Sequence, residues 1–211
     1  MFDDFGGFLM QVVAGLPGLI IAMTVHEFAH AVTAVALGDP TPKMQGRLTL
    51  NPAAHIDPIG LLMLFLVRFG WAKPVMVNPY NFKHPRRDDI LVSLAGPFSN
   101  LVTAFLALLV MVLLIKFGVN MTPGMNTVFS LILIYNINFA IFNMIPVPPL
   151  DGSQVLKQLL PYELARKYHE LERYSFLILI VFLMTPILGS MLVPMQRLIL
   201  RMFESIISVI F

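Results

Sequence analysis

The apolar positions of this chain come in long runs rather than in stripes. Residues 5–25, 90–115, 117–150 and 174–196 contain no charged side chain. A helix rises about 1.5 Å per residue and bilayer hydrocarbon is about 30 Å thick, so about 20 apolar residues suffice to cross it. The runs predict an all-α polytopic membrane protein with helices at about 8–37, 89–116, 126–147 and 174–193. Pro17, between Gly15 and Gly18, predicts a kink in the first. Beyond Met195, the residues Arg197, Arg201, Glu204 and Ser208 fall on one helical stripe, so 195–210 reads as an interfacial amphipathic helix or as a last span. No repeat or linker divides residues 1–211, which read as a single membrane-embedded domain.

The apolar run 58–70 is too short to cross comfortably and suits a re-entrant segment, within a re-entrant region of about 43–70. Lys43 and Arg47 precede it; Arg68, Lys73, Lys83, Arg86 and Arg87 follow it. A dip keeps both basic groups on one side, as the positive-inside rule favours. The loop 151–173 carries Lys157, Arg166, Lys167 and Arg173 and reads as internal, whereas 117–125 is uncharged and reads as external. The expected topology has the N-terminus outside and the inner ends of the first and third helices toward the cytoplasm. Within Met44–Leu50, Leu48 and Leu50 alternate with Arg47 and Thr49, a period of two that predicts a short strand.

Composition sharpens this picture. Of 211 residues, 57% are hydrophobic and only 12% charged, about half the usual charged share, so lipid must cover part of the surface. A net charge of +2 gives no basis for nucleic-acid binding. Without cysteine, disulfides, thiolate catalysis and cysteine-ligated metals are excluded. The opening carries Asp3 and Asp4 ahead of an apolar run longer than a signal core, unlike a signal peptide.

The residues that carry chemistry begin with His26-Glu27-Phe28-Ala29-His30. Imidazoles four residues apart share a helix face and can hold one zinc ion, Zn2+, at about 2.0–2.1 Å. Glu27, next to the first ligand, is placed to act as general base toward a water at the ion. The motif lies toward the inner end of a long apolar helix, where ionisable groups are costly and mark function. The bland alternative is three polar residues at a helix end facing neighbouring helices.

Catalytic zinc usually takes a third protein ligand. The candidates are His55, His84 and His169 and the carboxylates Asp57, Asp88, Asp89 and Asp151. Asp151 is favoured, because it follows Pro146-Val147-Pro148-Pro149-Leu150. Prolines end a regular helix, and irregular backbone at membrane depth is tolerated where it lines a wet cavity. Spacing alone equally allows Asp151 to cap a short helix at 152–160. Asn143 and Asn136 share a face of the third helix; Asn143, close to Asp151, is a candidate to polarise the scissile carbonyl or hold substrate backbone. His55 and Asp57, among prolines, fit local turn hydrogen bonds.

His26-Glu27-x-x-His30 together with Asn143-Met-Ile-Pro146-Val-Pro-Pro149-Leu150-Asp151-Gly152 resembles the site-2 protease family of intramembrane zinc metalloproteases, in particular its short prokaryotic type without a PDZ or CBS domain. Gly96-Pro97-Phe98-Ser99-Asn100 resembles that family's element on the middle core helix, and the stretch Gly46–Pro58 is also similar to the short members. The resemblance implies a core of three transmembrane helices around one catalytic zinc ion, with His26, His30 and Asp151 as ligands and Glu27 as base. It implies a multi-pass protein of a prokaryotic cell membrane, active toward the cytoplasmic side. Its partners would be the lipid bilayer and membrane-anchored proteins or signal-peptide remnants. Some members carry an extra N-terminal span, which is not matched here.

Hydrolysis of a transmembrane helix needs local unwinding, and unpaired backbone is expensive in hydrocarbon. A strand edge near Arg47–Leu50 is expected to receive the unwound substrate. Two competing classes make different demands. An inactive homologue serving as adaptor or scaffold has no need of Glu27. A small transporter predicts inverted repeats or charges near mid-membrane, which this chain lacks.

Overall fold

The computed structural model describes residues 2–67 and 70–210. The chain is helical almost throughout. In order the helices are α1 (Phe2–Ala36), α2 (Thr41–Met44), α3 (Pro58–Val67), α4 (Pro85–Lys116), α5 (Pro123–Asn143), α6 (Asp151–Leu159), α7 (Tyr162–Leu171), α8 (Ser175–Met184) and α9 (Ile187–Ile210). Among the described residues, three helices are long and apolar enough to cross a membrane: Val13–Ala36 of α1, α4 and α5. These match the first three expected spans, and they pack pairwise on one another.

Packing within a bilayer rewards close backbone approach through small residues. Gly18 supplies one such contact: a β-carbon there would lie 2.9 Å from the Leu131 carbonyl oxygen of α5. Ala104 and Ala107 of α4 face Leu133, Ile137 and Ile141 of α5 in the main apolar cluster, and α9 covers it with Ile199, Leu200 and Phe203. On the outside of α4 the exposed residues Leu91, Leu94, Phe98, Val102, Leu106 and Val110 recur every three or four positions. That stripe is an apolar face left uncovered by the rest of the protein. Arg197, Arg201 and Glu204 lie on the exposed side of α9.

Three expectations about the architecture need correction. First, Met44–Leu50 contains no strand. The turn after α2 is made at Gly46 with φ +68, a left-handed conformation that glycine adopts freely. Arg47 is buried instead of alternating outward, because its guanidinium donates to the Ala54 carbonyl. Among the described residues the β-pairing is a single isolated bridge, Ile56 with Ala72. The expected substrate-receiving edge at Arg47–Leu50 therefore does not exist. Second, the expected helix 174–193 is broken. Thr185 is extended, with φ −91 and ψ 152, as a residue before proline prefers. α8 ends at Met184, α9 starts at Ile187, and the chain bends by 75° between them. Third, α5 ends at Asn143, four residues before the expected end at 147, because the prolines that follow cannot continue it. Of the run 58–70 expected to dip, residues 58–67 form α3, and Arg68 and Phe69 lie outside the described residues.

Candidate metal centre

His26 and His30 lie one turn apart on the inward face of α1, and both are buried. Asp151 reaches them from the first turn of α6. Gly152 makes that approach possible. A β-carbon at Gly152 would stand 2.3 Å from the Met144 carbonyl oxygen, so the turn tucks against the end of α5 only without one. The Asp151 carboxylate then lies with Oδ2 3.0 Å from His26 Nε2 and 3.4 Å from His30 Nε2. Ligands about 2.0–2.1 Å from a tetrahedral ion stand about 3.3 Å apart, so these separations fit a shared zinc ion.

The other imidazole nitrogens are already committed. His26 Nδ1 donates to Asn100 Oδ1 at 2.7 Å, and His30 Nδ1 donates to the Val92 carbonyl at 2.7 Å. Each Nε2 is thereby left as the lone-pair nitrogen, turned toward Asp151. Such outer hydrogen bonds fix the tautomer and ring orientation of metal-binding histidines. Asn100 is itself fully buried and fixed, since its Nδ2 donates to the Ala22 carbonyl and to Asn136 Oδ1, each at 2.9 Å. Asn136 in turn donates to the Ile132 carbonyl. One polar chain thus crosses all three core helices and ends on His26.

Two further observations show that these residues fit a cation. Asp151 Oδ2 is buried and makes no hydrogen bond of ordinary geometry, despite its closeness to two imidazoles. Gly96 on α4 leaves room beside the pair. A β-carbon there would fall 2.5 Å from His30 Nε2 and 2.6 Å from His26 Nε2. Among the described residues, His26, His30 and Asp151 are the one group whose donor atoms all lie close enough to share an ion, within 4.8 Å of one another.

Glu27 is buried beside this group, and its Oε2 accepts from the Val75 backbone N–H at 2.9 Å. Asn143 Nδ2 donates to the Phe139 carbonyl of its own helix at 3.0 Å. The remaining sequence candidates lie elsewhere. His55 is buried, with Nε2 on the Thr49 carbonyl, and Asp57 caps α3 through the N–H groups of Ile59 and Gly60. Asp88 accepts from His84 N–H and Arg87, Asp89 accepts from Gln158, and His169 pairs with Glu172. Sequence reasoning did not find Val75 or the Val92 carbonyl, because a backbone group leaves no side-chain signal.

Residues 112–186 match Peptidase family M50. The chain is 40% identical over 196 residues to a Bacillus subtilis (strain 168) protein named "Putative zinc metalloprotease YwhC", covering 89% of this chain and 90% of that one. The chain belongs to peptidase family M50. It is also 32% identical over 192 residues to "Putative zinc metalloprotease Rip2" of Mycobacterium tuberculosis (strain ATCC 25618 / H37Rv), covering 88% of this chain and 71% of that one. The Rip2 of Mycolicibacterium smegmatis (strain ATCC 700084 / mc(2)155) is 32% identical over 194 residues, with the same coverage. No solved structure matches. Membership identifies the chain as a zinc metallopeptidase of the site-2 protease family, and its three apolar helices make it a multi-pass membrane protein.

Proposed function

We propose that this M50 peptidase is an intramembrane endopeptidase that hydrolyses peptide bonds in or near transmembrane segments of membrane-anchored proteins or signal-peptide remnants. Residues 1–211 act as one membrane-embedded domain, with His26, His30 and Asp151 as metal ligands, Glu27 as base and Asn143 on the substrate. The observation that carries this reading is the convergence of Oδ2 of Asp151 on two imidazole nitrogens at 3.0 and 3.4 Å, with Glu27 alongside. When bound, zinc polarises a carbonyl and lowers the pKa of water.

The protein's own groups do the rest. Glu27 takes a proton from the attacking water as its oxygen bonds to the carbonyl carbon. As the C–N bond breaks, Glu27 returns that proton to the departing nitrogen. Asn143 lines both cavities at the centre, and the second hydrogen of its Nδ2, beyond the one given to Phe139, is the donor to a substrate carbonyl. One cavity, of about 410 Å³, is rimmed by Asp89, Gln154, Lys157 and Gln158 and gives water a polar route. The other, of about 220 Å³, is walled by Met23, Leu61, Phe142 and Leu179 and suits an apolar side chain of the substrate.

The polar cavity opens among residues of α6, in the basic loop read as internal. The proposed orientation therefore has the N-terminus outside and the site toward the cytoplasm of a prokaryotic cell membrane. The test is Glu27→Gln, reconstituted with zinc in liposomes beside a peptide carrying an apolar span. Full zinc content with no cleavage supports the reading; cleavage at the wild-type rate removes Glu27 as base.

A further inference from the structure

Past the end of α1, a second carboxylate is more completely buried than Glu27. Asp39 is fully buried, and its two oxygens accept four donors. Oδ1 takes Thr41 N–H at 3.1 Å, Thr41 Oγ1 at 2.6 Å and Asn81 Nδ2 at 2.7 Å, while Oδ2 takes Asn78 N–H at 2.7 Å. The Thr41 pair is local. The other two come from a segment that returns about forty residues later. Burial alone would raise the Asp39 carboxyl, but these donors bring it below the usual carboxylate range.

The same segment meets the active centre. It runs without regular structure from Trp71 to Asn78 and gives its Val75 N–H to Glu27. Upstream it is held by Lys73 N–H on the His55 carbonyl at 2.8 Å and by the Ala72–Ile56 bridge. Downstream, Asp39 anchors it through Asn78 and Asn81, beside the packing of Val77 and Phe82 against Ala34 and Val92. Only three peptide links separate Val75 from Asn78, a reach of about 10 Å at full extension. Pro74 and Pro79 restrict the backbone at either side of that reach. Slack at Asn78 is therefore passed to Val75. α1 carries the general base within it and the anchor just beyond its end, so helix and segment form a closed bracket around Glu27.

We propose that Asp39 is a positioning residue of the proteolytic centre: it fastens the 71–81 segment so that the Val75 N–H holds the Glu27 carboxylate in place. This rests on Glu27 being the base. An aspartate that merely terminates α1 would matter to stability and leave turnover by the folded protein alone.

The experiment compares wild type, Asp39→Asn and Val75→Pro as full chains with zinc in liposomes, using a quenched fluorogenic peptide with an apolar span of about 20 residues. Asp39→Asn keeps the size of the side chain but turns an amide donor toward donors. Val75→Pro removes the N–H whose hydrogen bond Glu27 accepts and also fixes the backbone φ near about −65°. Both are expected to keep full zinc content and a KM within about twofold, and to lose kcat on the order of 10- to 100-fold, as misplaced groups do. The double variant is expected to be no slower than the slower single one. Amide hydrogen exchange supplies a readout besides activity. In Asp39→Asn, exchange over 75–78 quickens at least about tenfold, while in Val75→Pro the Asn78 amide stays protected.

Wild-type kcat in Asp39→Asn overturns the proposal, and so does a kcat loss that follows zinc content or the folded fraction. If Asp39→Asn does not accumulate, Asn81→Ala must show the same kcat-selective loss in milder form; unchanged kcat and exchange there also overturn it. Glu27→Gln in the same assay separates two failures. An active Glu27→Gln removes the base and this proposal with it. An inactive Glu27→Gln beside a fully active Asp39→Asn removes the bracket alone.

Discussion

Gly96→Ala perturbs the metal centre without replacing a ligand, and the structure sets its size. The added methyl carbon would start 2.5 Å from His30 Nε2 and 2.6 Å from the nearest atoms of His26, where ordinary contact begins at 3.4 Å. Each ring would have to retreat by about 0.8–0.9 Å, whereas zinc–ligand distances tolerate only about 0.2 Å. The rings cannot retreat freely, since Asn100 and the Val92 carbonyl hold their far nitrogens. Lesser outer-shell damage already costs 10- to 100-fold in metal affinity, so a loss of at least about 100-fold, or about 2.8 kcal/mol, is expected. Backbone propensity works the other way: alanine is better than glycine inside a helix by about 0.5–1 kcal/mol. The variant should therefore remain helical and folded while losing zinc. The assay is zinc competition against a chelator, with thermal melting in parallel. Gly189→Ala serves as control, because a β-carbon there meets nothing within 4 Å. Wild-type zinc affinity in Gly96→Ala would refute the placement of α4 against the histidine pair.

Three other outcomes follow from the same geometry. Gly152→Ala should lose zinc and also destabilise the fold by about 1–3 kcal/mol, since its β-carbon would meet rigid backbone at Met144; zinc analysis and melting check both. Asn100→Ala should lower zinc affinity about 10- to 100-fold by freeing the His26 ring, as titration with a chelator would show. Asp39, whose carboxyl is lowered in the fold, stabilises above the unfolded value of about 3.9 and loses that contribution as the pH falls through the lower folded value. The melting-temperature gap between wild type and Asp39→Asn should thus be constant above about pH 5 and close under stronger acid.

Much of the frame was legible because lipid imposes long uncharged runs, and α1, α4 and α5 follow them closely. The histidine pair was legible because a helix puts residues four apart on one face. Asp151 was only half legible: the prolines that end α5 allowed a ligand or a helix cap equally, and the family resemblance singled out the ligand. What failed was short-range pattern. Leu48 and Leu50 alternate with polar neighbours, but Gly46 and the buried Arg47 make the segment a turn held by hydrogen bonds. The run 174–196 suggested one helix, yet Pro186 breaks it, a local signal that hydropathy overrode. The support of Glu27 by Val75 and of that segment by Asp39 joins residues 48 and 39 positions apart. No periodicity reports a contact of that kind.

The proposed chemistry requires that His26, His30 and Asp151 together hold one zinc ion. X-ray absorption at the zinc edge of the purified full chain addresses it directly. The expected spectrum has two imidazole nitrogens at about 2.0–2.1 Å, carboxylate oxygen at about 2.0–2.2 Å and no sulfur, with one oxygen scatterer lost in Asp151→Ala. A spectrum with fewer than two imidazoles, or one that Asp151→Ala leaves unchanged, would contradict it.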